Sequence, residues 1–584
     1  MVQRFFLLAF LTLFAHAAPD LLVYGGTPQG VAAAVAAARE GLRVVLISPT
    51  ARVGGVLTGG WLATWDLSRD EKKRFLQEGL FLEMYRRFGG DASFDVRRAE
   101  GALRRMLEEA GVEVVLEAPL EEVVVQGGYV VRMRFGGREG RVEVPTLVVD
   151  ATDTAELAAL AGARFTLGRE DTGLDKGQMA ATLIFRLEGL PWGAVFLALN
   201  HEGVFRRTGA GAWGRSAWGF GELGEGYLSS SSRFRLRGLN LARQDDGSVL
   251  VNALLIHGVD GTNPIALRQA YAEAVAEAGR VVEYLREKSP LLFGSARLAE
   301  VAPELYVRES RHLLGLYRLK ADDVLFGRTF PDALALGGYP LDGQAYLPGE
   351  TPYLLGTPAP YGIPFRTLLP QGFRNLLVVS QAASFDSAAA FSARVAPTQV
   401  ALGQGAGVAA AVARKRGVDL PSLLAPEAFS EVRSRLGKQG ARLFAEGGVS
   451  KEELDRKDPG FAQAVDLLRR GLFNAPYDLR GELGLSRPIL VGVFLASLDH
   501  FYRAKGDREA LTVVLTAREL YRMDLFRPLE AQEARRILIA LGKGAGDLLM
   551  GKPRGRFLTR GEAARVLYPL FGLSSARASR PPLR

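Results

Sequence analysis

The pattern of apolar and polar positions is most orderly near the start of the chain. Leu21-Leu22-Val23-Tyr24 is an apolar run of strand length, and Gly25-Gly26-Thr27-Pro28-Gln29-Gly30 breaks it. Small residues follow from Val31 to Arg39, Gly41 ends them, and a second apolar run covers Val44 to Ile47. Short apolar runs bounded by glycine, with a helical stretch between, predict strand, turn, helix and strand: one βαβ unit. The glycine turn of such a unit brings backbone N–H groups at a helix N-terminus against a pyrophosphate. Gly54-Gly55 offers a second place for close backbone approach.

Beyond Thr58 the pattern turns helical. Phe75, Leu76, Leu80, Leu82, Met84, Tyr85 and Phe88 recur at helical spacing, predicting a helix over 71–88, and another is expected over 95–110. Short strands follow at 112–116, 121–125, 129–135, 141–144 and 147–149, with Gly127-Gly128 and Gly136-Gly137 as hairpin signals. The last strand runs into Asp150-Ala151-Thr152-Asp153 and an alanine-rich stretch, a return to the parallel sheet. From about Ala163 the register changes. Strands at 179–187 and 249–255 and a long helix at 264–288 describe a mixed insertion of the kind that covers a cofactor and shapes a substrate pocket.

The chain returns at Ile363-Pro364-Phe365-Arg366 and a strand at 375–380, then reaches Arg394-Val395-Ala396-Pro397-Thr398-Gln399 and a helix over 400–414. That helix holds Gly403, Gly405 and Gly407. Each interior glycine costs about 1 kcal/mol relative to alanine, so close approach of a ligand or of a neighbouring backbone is expected there. Past Gly417 the chain reads as helices with short polar links, at 427–444, 460–472, 489–505, 530–541 and 559–570.

Composition narrows the chemistry. At 584 residues the chain is too long for one core, and 48% hydrophobic with 23% charged residues is an ordinary globular balance. The net charge of +9 is scattered, with no basic run interleaved with aromatics, which argues against nucleic acid as a partner. With no cysteine there is no disulfide, thiolate metal site or redox dithiol. The five histidines show no metal-ligand spacing, so no metal site is expected. Arg4, the apolar stretch Phe5 to Phe14 and Ala15-His16-Ala17 read as an export signal over 1–17, with no twin-arginine pair, implying the general secretory route and a periplasmic or envelope location.

Together these motifs resemble the FAD-dependent oxidoreductase family of glutathione-reductase-like fold, in the group with a GGTPxG turn and a late R-V-x-P-T helix start. Four blocks carry the resemblance in the family's order: 25–60, 150–170, 308–344 and 363–407. The implied fold class is α/β. An FAD-binding Rossmann-like domain (18–162, returning at 361–417) holds an inserted mixed α+β substrate domain (163–360), and a C-terminal helical region (418–584) follows.

The resemblance also implies roles. Gly25, Gly26, Thr27, Gln29, Gly30, Gly54 and Gly55 would wrap the pyrophosphate, with Arg52 beside it. Leu120 stands where the family's backbone meets adenine, and Thr152 where a strand end passes the dinucleotide. Arg394 faces cofactor or substrate, and Pro397, Thr398 and Gln399 aim a helix N-terminus at the flavin. Thr27 replaces the middle glycine of GxGxxG. Ser48 replaces the acid that usually grips the ribose, losing a charge-assisted hydrogen bond about twice as strong as a neutral one. That loss weakens an NAD reading as well.

For catalysis the resemblance points to Arg308, Arg311 and His312 in an arginine-rich block, and to Tyr339 and Asp342 in a Tyr-Pro-x-Asp block. The arginines would hold a carboxylate substrate or stabilise hydride transfer, with His312 as base. An internal ion-pair network joining the insertion to the flavin domain accounts for the same residues equally well. Gln344 stands where relatives often carry histidine, and no histidine lies in 25–60 to link a flavin covalently. In the C-terminal region, Ala464 to Leu472, Leu485-Ser486-Arg487 and Leu558 to Ala563 resemble a degenerate S-layer homology repeat, which docks to cell-wall polymer; an ordinary helical cap fits as well. The expectation is an exported enzyme moving a hydride between a small molecule and non-covalent FAD, its electron acceptor unassigned. A catalytically weak envelope-bound protein on the same fold is the alternative.

Overall fold

A computed structural model describes residues 18–137, 140–201, 209–445, 450–542, 547 and 549–573. The expected export signal at 1–17 lies outside them. The organising element is a five-stranded parallel sheet. Its strands are β1 (Leu21–Tyr24), β2 (Val44–Ile47), β3 (Glu113–Val115), β4 (Leu147–Asp150) and β5 (Leu376–Val378), in the order β5-β4-β1-β2-β3. Tyr24 stands opposite Ile47 on one side and Asp150 on the other, so the C-terminal strand ends, where α/β folds bind ligands, lie level.

Both faces of β1 are buried, which is why its sequence is a continuous apolar run. Leu21 and Val23 point into the main core, which includes helix α1 (Pro28–Arg39) and helix α2 (Ala396–Arg416). Leu22 and Tyr24 point to the other face, onto an antiparallel meander of 120–126, 129–135 and 141–143.

The insertion builds a six-stranded antiparallel sheet with its own core, covered by the helix Pro264–Lys288 through Ala270, Ala274, Ala278 and Val281. The C-terminal region shares the main core of the parallel sheet through Leu467, Leu468 and Leu498 of its helices and Leu483 of a connecting loop. Among the described residues no helix is long and apolar enough to cross a membrane.

Three expectations shift. The helix expected over 71–88 is only Leu80–Arg87. Lys73 and Gly79 adopt positive φ, and Asp70 ties the preceding segment into a turn by accepting from the Arg74 N–H at 2.9 Å and pairing with Arg442 at 2.7 Å. The late helix begins at Ala396, so Pro397, Thr398 and Gln399 form its first turn rather than precede it. The C-terminal region also contains a helix at Arg508–Leu520, capped by Asp507, which the sequence reading did not include.

Candidate active site

The glycine turn is closed by its own neighbours. Thr27 caps α1, accepting from the Gly30 N–H at 3.2 Å and donating to the Ala151 carbonyl at 2.7 Å. Gly25 has φ +115°, and a Cβ there would stand 2.8 Å from the Ala151 carbonyl carbon; one on Gly30 would stand 2.1 Å from the Gly25 oxygen. The second glycine pair docks onto the first turn. The Gly54 N–H donates to the Gly26 carbonyl, and Gly55, at φ +46°, lies against Thr27.

This turn opens onto a cavity of about 330 Å³ that also touches Ser48, Thr50, Thr152, Glu156 and Arg311. A second cavity of about 390 Å³ shares Asp153, Gly261, Leu267 and Glu304 with it. A narrow hollow of about 20 Å³ continues past Val56 and Asp153 to Asp66, Tyr306, Arg394 and Gln399. One groove therefore runs from the glycine turn and the end of β2 to the first turn of α2.

Ser48 is buried at the end of β2, its Oγ 3.2 Å from Thr50 Oγ1. Thr152 donates through Oγ1 to Asp150 at 2.7 Å, and Asp150 also accepts from the Ala158 N–H at 2.8 Å. Arg52 is at the surface, paired with Glu100 at 2.9 Å. Leu120 touches none of these cavities; its N–H donates to the Tyr24 hydroxyl at 3.0 Å, so that amide is already committed inside the protein.

Two carboxyls face one another across the groove. Burial pushes Asp153 up to about 6, against a hydrogen bond from Gln29 at 3.2 Å. Burial, with Asp153 adding repulsion, pushes Glu304 up to about 7.

At the inner end three arginines meet two acids and two tyrosines. Arg394 donates to the Tyr306 hydroxyl at 2.9 Å and to the Asp342 carbonyl at 3.3 Å, while its buried Nε has no partner. Arg308 donates to the Ala180 carbonyl at 2.8 Å and Thr182 Oγ1 at 2.7 Å, and its guanidinium lies 4.1 Å from the Tyr306 ring centre. Burial pulls it down to about 9. Arg237 reaches in from the insertion sheet, donating to Asn252 at 3.2 Å. Burial raises Asp66 and Asp342, with Arg394 the strongest opposing charge in each case, and the Tyr339 hydroxyl interacts with Asp66.

The structure thus brings Arg308, Tyr339, Asp342 and Arg394 together and leaves two expected partners elsewhere. Arg311 lies at the outer cavity, over Phe165. His312 is buried 2.9 Å from Glu309 Oε1 and touches none of the cavities above, so the carboxyls in the cluster are those of Asp66 and Asp342. Sequence reasoning missed Asp66, Arg237, Tyr306, Asp153 and Glu304. Asp66 had a signal, as a lone acid in the apolar stretch 61–67. At α2, Thr398 accepts from Gln77 at 3.4 Å, and Gln399 donates to the Ala393 carbonyl at 2.8 Å with its Oε1 unpartnered.

The sequence model described as FAD dependent oxidoreductase matches residues 20–436. The chain belongs to the FAD-dependent oxidoreductase family. Comparison with curated proteins finds no match. Among solved structures, a geranylgeranyl bacteriochlorophyll reductase-like protein from Thermoplasma acidophilum is 12% identical, covering 84% of this chain and 99% of its own, with a TM-score of 0.36. The p-nitrophenol 4-monooxygenase PnpA from Pseudomonas putida is 11% identical, covering 78% and 95%, with a TM-score of 0.34. The flavin-dependent brominase Bmp2 is 13% identical, covering 78% and 93%, with a TM-score of 0.36. Likenesses this remote add nothing to the family assignment.

FAD is the cofactor of this oxidoreductase, and the residues present fit it. The backbone cradle at Gly25, Gly26 and Gly30 has no room for a Cβ at its tightest points, and the start of α1 offers it a positive helix end. At the other end, the unpartnered Gln399 Oε1 and Arg394 Nε stand beside the start of α2.

Proposed function

We propose that this FAD-dependent oxidoreductase moves a hydride between non-covalently held FAD and a small molecule carrying one negative charge. The observation that supports this reading is the charge balance of the inner cluster. Among the described residues, the carboxyls that act on Arg237, Arg308 and Arg394 most strongly are Asp66 and Asp342, both raised by burial, so three cations meet two acids and one positive charge is left over. An uncompensated buried cation is costly unless an anion joins it.

FAD, when bound, supplies the two-electron chemistry. The chain's own residues do the rest. Tyr306 and the Asp342 carbonyl fix the Arg394 guanidinium, and Ala180 and Thr182 fix Arg308, so a substrate carboxylate meets donors already oriented. Asp66, its proton affinity raised by burial and trimmed by Arg394 and Tyr339, accepts the substrate proton. The insertion covers the cluster and excludes water.

We further propose that the enzyme works outside the cytoplasm, on the strength of the signal-like first 17 residues. The deciding experiment mixes the yellow holoprotein anaerobically with a panel of small hydroxy- and amino-monocarboxylates and their amides. Bleaching by acids but not by the matching amides is the expected result; bleaching by both alike would remove the anion requirement. N-terminal sequencing of the protein from the culture or periplasm tests export.

A further inference from the structure

Outside the cofactor groove, a hollow of about 360 Å³ lies between residues 351–354 of the insertion and the C-terminal region. That is within the lower part of the roughly 300–1,000 Å³ usual for small-molecule sites. Its walls are apolar: Leu354 from the insertion, and Ala475, Leu490, Val493, Leu495 and Ala496 from the C-terminal region. Tyr477 and Phe526, both well exposed, stand at its rim.

Only one lining residue is charged. Arg518 donates to Thr351 Oγ1 at 2.8 Å and, among the described residues, has no carboxylate bonded to it. The nearby Asp499 accepts from the Thr351 N–H at 3.3 Å and is paired with Arg503 at 2.7 Å. Arg235, on the insertion strand Phe234–Arg243, donates to the Glu350 carbonyl at 3.0 Å. Burial and then repulsion from Arg518 hold Arg235 below the ordinary arginine range, with Glu225 the acid that opposes this. The apolar hollow therefore ends at Arg518, which has no bonded carboxylate among the described residues and lies close enough to Arg235 to repel it.

We propose that this hollow is a binding site for an amphipathic monocarboxylate, with an aliphatic chain against the apolar walls and its carboxylate on Arg518. A carboxylate there would relieve the repulsion between Arg518 and Arg235 and supply the charge-assisted acceptor that neither arginine has. The C-terminal helical region thereby becomes one half of a ligand site. The site is also close to the reaction centre. Leu354 is the direct strand partner of Asp342, and the Ala475 N–H donates to the Leu354 carbonyl at 2.8 Å. Adjacent strands lie about 4.8 Å apart. Occupancy of the hollow does not depend on the hydride step, so binding and flavin reduction can fail separately.

The test is calorimetric titration of the full-length, FAD-loaded protein with octanoate and with 1-octanol. Saturable octanoate binding at one site is expected. Arg518→Gln should weaken octanoate about tenfold, the loss of one charge-assisted bond, and leave 1-octanol unchanged. Ala496→Trp, which fills the hollow, should remove both. Arg518 is only half-buried, so its variant should fold even if Ala496→Trp does not. No saturable binding, or octanoate binding indifferent to Arg518→Gln, would overturn the proposal.

Discussion

A Cβ on Gly403 would stand 2.2 Å from the carbonyl oxygen of Gln29, so α2 and α1 meet backbone to backbone. Gly407 repeats the contact one turn on, where a Cβ would stand 2.2 Å from the Ala33 oxygen. Of the two reasons expected for glycines in that helix, the neighbouring backbone is the one at work for Gly403 and Gly407. Gly403→Ala should destabilise the protein by about 2–3 kcal/mol, the usual cost of overpacking a rigid contact. It should also weaken FAD binding, because both helix starts line the groove. Gly405→Ala, which meets the Leu334 side chain instead, should cost less. Thermal denaturation with and without FAD checks this; parent-like melting of Gly403→Ala would remove the packing argument.

At the end of β2, Ser48 sits where a carboxylate would form a stronger bond to a ribose hydroxyl. Replacing a neutral hydrogen bond by a charge-assisted one gains roughly 1 kcal/mol. Ser48→Asp is therefore expected to tighten FAD about fivefold, and Ser48→Ala to weaken it by a similar factor. Titration of apoprotein with FAD, followed by flavin fluorescence, gives both numbers. Unchanged affinity in Ser48→Asp would mean that this position does not meet the ribose.

The parallel sheet was legible because β1, β2 and β4 are buried on both faces and so read as unbroken apolar runs between glycines. The helix Pro264–Lys288 was legible for a similar reason, with alanines on one face and an asparagine cap. The turn around Lys73 was not, since Phe75 and Leu76 happen to continue the spacing of the following helix while Asp70 and Arg442, far apart in sequence, hold the segment in a turn. The inner cluster was half legible. Arg308, Tyr339, Asp342 and Arg394 lie in recognisable blocks, but Asp66 and Arg237 come from other parts of the chain and join them only in three dimensions. His312 looked reactive because nothing in the sequence shows that Glu309 faces it.

If Arg394 holds the substrate anion and Asp66 takes its proton, as proposed, their variants should fail differently. Arg394→Lys keeps the charge but cannot reach both the Tyr306 hydroxyl and the Asp342 carbonyl in the same fork. A rise in KM for the anionic substrate with a smaller drop in kcat is expected. Asp66→Asn should instead lower kcat by about 10²-fold, the scale of one general base, and remove the acidic limb of the pH profile. Steady-state kinetics over a pH series separates the two, and a parent-like acidic limb in Asp66→Asn would exclude Asp66 as the base.

Glu304 and Asp153 make the groove sensitive to pH. Their carboxyls are raised in the folded protein to about 7 and about 6, from ordinary values of 4.5 and 3.8. For an acid raised on folding, the folded state binds protons more tightly than the unfolded chain. Its stabilising contribution is therefore complete below the ordinary value and disappears as pH rises through the raised one. The apoprotein should lose stability between about pH 4 and pH 7, with Glu304 accounting for about 3 kcal/mol of that loss. The same ionisation places negative charge in the cavity beside the glycine turn, so FAD affinity should fall over the same window if that turn holds the pyrophosphate. Glu304→Gln should flatten both curves and bind FAD more tightly than the parent at neutral pH. Thermal melts of the apoprotein and FAD titrations at about pH 5 and about pH 8 test this; an unaltered pH slope in Glu304→Gln would show that this carboxyl is not the group that titrates.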